Sequence, residues 1–208
     1  MATDYVSLSC KEFAAQLAAK QSVPGGGGAA ALVGALAASL GAMTANFTTG
    51  KKAYEEYEED LQRMIAELDE LRAAMLAHVD GDAESFSNYM EVYRIPKDDP
   101  KRPAALEQAT KDSASSPFAM MRDLTRIIEI LEELATKGSK MLLSDTACGA
   151  SLARAALETA SVNVYVNARA SRDAAWALDI ETQCDVMLAE YGPRAERVFR
   201  TLTAKIGR

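Results

Sequence analysis

Asp82, Phe86, Tyr89 and Tyr93 follow one another at spacings of four, three and four, so on a helix they would share one face, a carboxylate beside three aromatic rings. Such a face suits a planar, cationic ligand, with the carboxylate as counter-charge or proton acceptor. The same residues also read as core rings with Asp82 as a helix N-cap. A second candidate is Pro24-Gly25-Gly26-Gly27-Gly28, directly ahead of an Ala-rich stretch. At a helix start, unpaired N–H groups and the positive dipole end favour an anion or a carbonyl-rich ligand, and missing side chains let a ligand lie against backbone. A flexible connection is the competing reading. Asn163 and Asn167 form an i, i+4 pair on an otherwise apolar stretch, where an amide left without a partner costs about 1–3 kcal/mol. Ligand contacts and interhelical hydrogen bonds would both satisfy them. Asp145 stands where a helix should be capped, and Lys51-Lys52 stand where cations would complement the negative end of the Ala-rich helix.

Other chemistries are excluded by residue type. His78 is the single histidine among 208 residues, which rules out a histidine-rich metal site and the Glu-x-x-His pairs of di-iron bundles. It is expected on a helix surface. The glycine run lacks the GxxxxGK[ST] pattern of a phosphate loop. Three cysteines, Cys10, Cys148 and Cys184, show no CxxC spacing, and an odd number cannot all pair within the chain. That pattern fits a reducing compartment. With 23 Lys plus Arg against 30 Asp plus Glu, the net charge is −7, which disfavours phosphate-neutralising contact with nucleic acid. The first ten residues have neither the basic start nor the apolar core of a secretory signal. Ala29–Phe47 is long and apolar, but its Ala, Gly, Ser39, Thr44 and Asn46 content fits a buried helix rather than a membrane span.

The elements that must position these residues read as helices throughout. Ser9-Cys10-Lys11-Glu12 has the form of a capping box, and Leu8 with Phe13 stand where a hydrophobic staple would sit. A helix over 10–20 is expected, and then an Ala-rich helix from after the glycines to about Thr49, with Gly50 suited to a left-handed residue beyond it. Ala30, Gly34, Ala38, Gly41 and Ala45 form a small-residue stripe along that helix, which allows close backbone approach, within the subunit or across a dimer. The spacing of Leu61, Ile65, Leu68, Met75 and Leu76 predicts an amphipathic helix over 55–79. A bend at Asp80-Gly81-Asp82 and a helix to Tyr93 should follow. Beyond a loop with Pro96, Pro100 and Pro103, helices are expected over 104–115, from about Pro117 to Gly138, over 146–167, and over 173–206 with a break at Gly192-Pro193. Val162–Val166 alternates like a strand but continues the period of Leu152, Ala156, Leu157 and Ala160, so it reads as helix. Length and composition fit one domain over residues 1–208, an all-α helical bundle.

Taken in order, Ser22-Val23-Pro24-Gly25-Gly26-Gly27-Gly28-Ala29-Ala30-Ala31, Gly50-Lys51-Lys52, Asp82-Ala83-Glu84-Ser85-Phe86, Ile95-Pro96-Lys97, Ser144-Asp145 and Asn163-Val164-Tyr165-Val166-Asn167 resemble the formiminotetrahydrofolate cyclodeaminase and methenyltetrahydrofolate cyclohydrolase family. The resemblance spans nearly the whole chain. It implies a cytoplasmic, all-α homodimer that takes a reduced folate as substrate and needs no metal, nucleotide or other cofactor. It makes Asp82 the catalytic carboxylate, with Asp80 a less specific neighbour and Lys97 an assisting group. Pro24, Gly25, Gly26, Gly27, Gly28, Lys51, Lys52, Asp145, Asn163 and Asn167 become candidates for substrate binding. One departure is visible: where relatives commonly carry a Gly-Asn-x-Asn-like stretch, this chain has Gly138-Ser139-Lys140-Met141, without either amide. With no formiminotransferase domain ahead of it in this sequence, hydrolysis of 5,10-methenyltetrahydrofolate to 10-formyltetrahydrofolate is the expected reaction. Formiminotetrahydrofolate cyclodeamination and a noncatalytic helical interaction protein are the alternatives.

Overall fold

The computed structural model describes residues 4–207; Met1–Thr3 and Arg208, which the single-domain expectation included, lie outside the described residues. Six helices follow in order: α1 (Cys10–Leu17), α2 (Gly26–Asn46), α3 (Glu58–Tyr93), α4 (Arg102–Lys137), α5 (Leu143–Ala170) and α6 (Ala174–Lys205), with short 3-10 turns at Lys52–Tyr57 and Lys140–Leu142. No strand occurs among the described residues, and the fold is all-α as expected. The capping box forms in full: the Ser9 hydroxyl accepts from Glu12 N–H while Glu12 accepts from Ser9 N–H at 2.9 Å. Gly50 takes the left-handed conformation, φ +72°.

The Ala-rich α2 is the central helix, packed against α3, α4 and α5. The small-residue stripe is the reason it fits there. A side-chain carbon at Gly34 would meet Met75 at 2.3 Å and Leu124 at 3.1 Å, and one at Gly41 would meet Leu68 and Leu131. Ala30, Ala38 and Ala45 are likewise buried. The stripe therefore serves packing inside the subunit, where Leu68, Met75, Leu124 and Leu131 fill the space its side chains leave. Of the two readings of the stripe, packing within the subunit is the one the bundle realises. By length and composition alone α2 could cross a membrane, yet most of it is buried within the bundle.

Three expected breaks are absent. α3 runs without interruption through Asp80-Gly81-Asp82, α4 through Pro117, and α6 through Gly192-Pro193. A helix-interior glycine costs about 1 kcal/mol and a proline about 3 kcal/mol. Burial of Val79 and Ala83 around Gly81, of Ala114, Met120 and Met121 around Pro117, and of Ala195 and Val198 after Pro193 outweighs that local cost. The glycine run differs as well: only Gly25 precedes α2, as its N-cap residue, while Gly26, Gly27 and Gly28 form its first turn.

α2 and α5 pack side by side in opposite directions. Gly26 at the start of α2 lies beside Asn163 near the end of α5, whereas Thr44 near the end of α2 meets Thr146 at the start of α5, hydroxyl to hydroxyl at 3.1 Å. This pairing gives the bundle two poles, separated by the 21-residue length of α2, about 30 Å.

Candidate active site

At the first pole, continuity of α3 puts Asp82 in mid-helix, so it cannot be the N-cap of its own helix. It caps α2 instead. Gly28 N–H donates to Asp82 Oδ2 at 3.1 Å, satisfying one of the first-turn donors that no carbonyl of α2 can reach. The fit is tight enough to dictate sequence: a side-chain carbon at Gly27 would lie 2.1 Å from Asp82 Oδ1. Gly27 is glycine because the carboxylate occupies that space. Gly26 is under no such pressure, since its nearest neighbour would be the Asn163 amide at 3.7 Å. Burial pushes the Asp82 carboxyl above its usual range, and the hydrogen bond from Gly28 offsets part of that rise.

Asp82 opens onto a cavity of about 380 Å³ walled by Gly25–Gly27, Ser85, Phe86, Tyr89, Ser113, Asn163, Val166 and Asn167. Pro24, buried behind this wall, supports it from the side of Gly28. Tyr89 and Tyr93 stack with centroids 6.3 Å apart, but Tyr93 lies past the cavity. The carboxylate and two of the three rings of the expected face are thus brought together. Asn163 Nδ2 donates to Thr159 O at 3.0 Å, and Asn167 Nδ2 donates to Ser113 O and Asn163 O at 3.2 and 2.9 Å. Interhelical and intrahelical bonds thus take two donations from Asn167 and one from Asn163, and among the described residues neither side-chain carbonyl oxygen accepts a hydrogen bond. A carboxylate and two amide carbonyls, with no lysine or arginine in the lining, make a cavity suited to positive charge on a flat ligand.

Sequence reasoning missed Ser113. Its hydroxyl, on α4, is the one buried side-chain polar atom without a partner among the described residues, and it borders the cavity. Nothing in its neighbourhood, Lys111-Asp112-Ser113-Ala114-Ser115, has motif form; only the long-range placement of α4 reveals it. Asp80 accepts from Tyr5 N–H at 2.8 Å, tying the N-terminal segment to α3. His78 is not on a free helix surface: it links α3 to α4, with Nε2 3.1 Å from Asp123 Oδ2 and Nδ1 3.3 Å from Ser116 Oγ.

Four other candidates are elsewhere. Lys97 is exposed in the turn after α3, beyond a helical stretch that carries the chain about 16 Å past Asp82. It does not reach the cavity lining, because the helix from Asp82 to Tyr93 carries the chain away from it. Lys51 and Lys52 follow α2 at the second pole and line a separate open hollow with Glu55 and Glu58. Asp145 is in the first turn of α5, near that pole, and accepts from Ser144 Oγ at 3.3 Å. The 138–141 loop is also there, with Ser139 N–H donating to Thr48 Oγ1 at 2.8 Å and Lys140 N–H to Tyr54 OH at 3.0 Å.

Helical fold and site together define an all-α bundle in which a buried carboxylate is held at a helix N-terminus beside an aromatic-walled cavity. The chain belongs to the formiminotransferase-cyclodeaminase family, whose sequence model matches residues 9–186. It is 37% identical over 194 residues to a methenyltetrahydrofolate cyclohydrolase of Methylorubrum extorquens, covering 91% of this chain and 93% of that protein. It is 26% identical to the formimidoyltransferase-cyclodeaminase of Sus scrofa, over 94% of this chain but 37% of that longer protein. Among solved structures, formiminotetrahydrofolate cyclodeaminase from Thermotoga maritima superposes with a TM-score of 0.85 at 30% identity, covering 95% of this chain and 98% of that one.

Proposed function

We propose that this protein hydrolyses 5,10-methenyltetrahydrofolate to 10-formyltetrahydrofolate, with Asp82 as the proton-transferring group. The observation that carries the reading is the placement of Asp82, buried against the first turn of α2 and facing a cavity lined by aromatic rings and the Asn163 and Asn167 amides. The methenyl carbon sits between two nitrogens and shares their positive charge, which the carboxylate and the Asn163 and Asn167 carbonyls stabilise. Water attacks that carbon, and Asp82 takes one of its protons as the carbon–oxygen bond forms. The protonated Asp82 then delivers the proton to N5 as the carbon–N5 bond breaks. The hydroxyl of the adduct loses its proton to solvent and becomes the formyl carbonyl on N10, so one proton is released per turnover. A carboxylate raised by burial serves both steps, because it is a better base than a free aspartate and still gives the proton back.

Cyclodeamination uses the same carbon and expels ammonia from a formimino group, so the site can support it. The greater identity to the cyclohydrolase, over nearly the full length of both proteins, favours hydrolysis. Loss of methenyltetrahydrofolate absorbance, accelerated by the protein and abolished in Asp82→Asn, is the expected result. Ammonia release from formiminotetrahydrofolate without that hydrolysis would reverse the assignment.

The two poles also bear on assembly, and we read the working unit as a homodimer in the cytoplasm, acting without metal or other cofactor. Leu36 and Met43 on α2, Phe47 just past its end, and Val162 and Val166 on α5 are exposed, Phe47 by 58% and Val166 by 64%. Val166 belongs at once to this uncovered apolar surface and to the cavity wall. A two-fold axis across α2 sets the first pole of one copy beside the second pole of the other. Lys51 and Lys52 then meet the partner's cavity, where their charge suits the glutamate end of the folate.

A further inference from the structure

Beside the catalytic cavity lies a second one, of about 330 Å³, between the end of α3 and the start of α4. The two share Ser85 and Tyr89 as common walls, and neighbouring residues of α4 divide between them, Ser113 facing the first and Asp112 the second. The two are neighbours across these walls. The second cavity is apolar along Val92, Ala105 and Ala109, with the Tyr89 ring as a flat side, and its polar groups are Asn88, Gln108 and Asp112. Gln108 Nε2 donates to Asp112 Oδ1 at 2.8 Å on the exposed rim of this cavity, while Oδ2 accepts from no described residue.

We propose that this second cavity holds the pteridine ring of the substrate and that Asp112 reads its 2-amino-4-oxo edge. The inference rests on the folate reading above and adds the direction in which the substrate lies. A reduced pteridine presents two adjacent donors, the ring N3–H and the 2-amino group, and a carboxylate with paired oxygens matches them. The amides of Asn88 and Gln108 supply donors for the neighbouring 4-oxo group. The other end of a folate is anionic, and Asp112 repels it. With the methenyl carbon at Asp82, the ring therefore points along α3 toward Tyr89 and Val92, and the benzoylglutamate leaves past Val166 at the other side.

The test uses the full-length protein, with calorimetric binding of 6-methyltetrahydropterin and of its 2-desamino analogue, alongside methenyltetrahydrofolate kinetics. Wild type should bind the 2-amino compound about tenfold or more tightly than the desamino one, as expected for a hydrogen bond to a charged group. Asp112→Asn should erase that preference and raise KM for methenyltetrahydrofolate about tenfold with kcat little changed, a loss of uniform binding. A structural role for Asp112 would not move the ratio between two such similar ligands. Retention of the preference in a folded Asp112→Asn protein overturns the assignment, and does so without touching the folate reading if wild type still consumes methenyltetrahydrofolate. A wild type that neither consumes it nor binds the pterin overturns both.

Discussion

Asp82 joins two requirements in one side chain. It satisfies the N-terminus of α2 through Gly28 and it is the acid–base group of the proposed reaction. Its carboxyl is raised by burial, so the basic form is lost as pH falls through a value above the ordinary aspartate pKa of about 3.9. The acid limb of a kcat/KM profile should lie above that value, and Asp82→Asn should remove the limb along with about 100-fold or more of turnover. The sign for stability is opposite to that of a salt-bridged carboxylate. The folded state holds the proton more tightly than the unfolded one, so this contribution is present at acid pH and lost as pH rises through the raised pKa. Melting temperatures of wild type and Asp82→Asn should accordingly shift in favour of Asn between acid and neutral pH. Gly27 offers a separate check. Gly27→Ala must displace the carboxylate 2.1 Å from the added carbon and should abolish activity, whereas Gly26→Ala, with only ordinary contacts, should retain most of it. Equal activities of the two alanine variants would remove Asp82 from the position assigned to it.

Helix identity was legible in the periodicity, and helix ends much less so. Leu61, Leu68 and Met75 announce α3, and Ser9 with Glu12 announce α1, because burial and capping leave local marks. Gly81, Pro117 and Gly192-Pro193 looked like punctuation because their local preferences are against helix; only the packing of α2, α4 and α5 around them decides otherwise. A bend at Gly81 would make Asp82 the N-cap of its own helix, whereas the continuous α3 leaves its carboxylate free to cap α2. The glycines in question should still carry their intrinsic penalty. A carbon added at Gly81 comes only within 3.9 Å of Ser116 Oγ on the neighbouring helix, an ordinary contact. Gly81→Ala should therefore stabilise by about 0.5–1 kcal/mol, at roughly 2–4 °C in Tm per kcal/mol for a chain of this size. A fall in Tm would mean that α3 needs the glycine for a reason other than space.

At the scale of the molecule, the motifs that resemble the family divide between two ends of the bundle. The glycines, Asp82, Asn163 and Asn167 gather at one, and Lys51, Lys52, Asp145 and the 138–141 loop at the other. Sequence order could not reveal this division, because antiparallel packing of α2 on α5 sets residues near in sequence to a helix start far from those near its end. The proposed two-fold dimer, through the exposed side chains around Leu36, Phe47 and Val166, would reunite the two sets across the interface. Phe47→Glu should then yield a monomer by light scattering and lower activity with it. The sharper expectation comes from mixing two inactive proteins, Asp82→Asn and the double variant Lys51→Ala, Lys52→Ala. In a mixed dimer one shared site combines both lesions and the other carries neither, so random exchange restores about one quarter of all sites. If each subunit held a complete site of its own, both lesions would stay in separate sites and mixing would restore nothing. Recovery of activity after the two variants are unfolded and refolded together, set against the same treatment of each alone, therefore separates a site built between subunits from two that are independent.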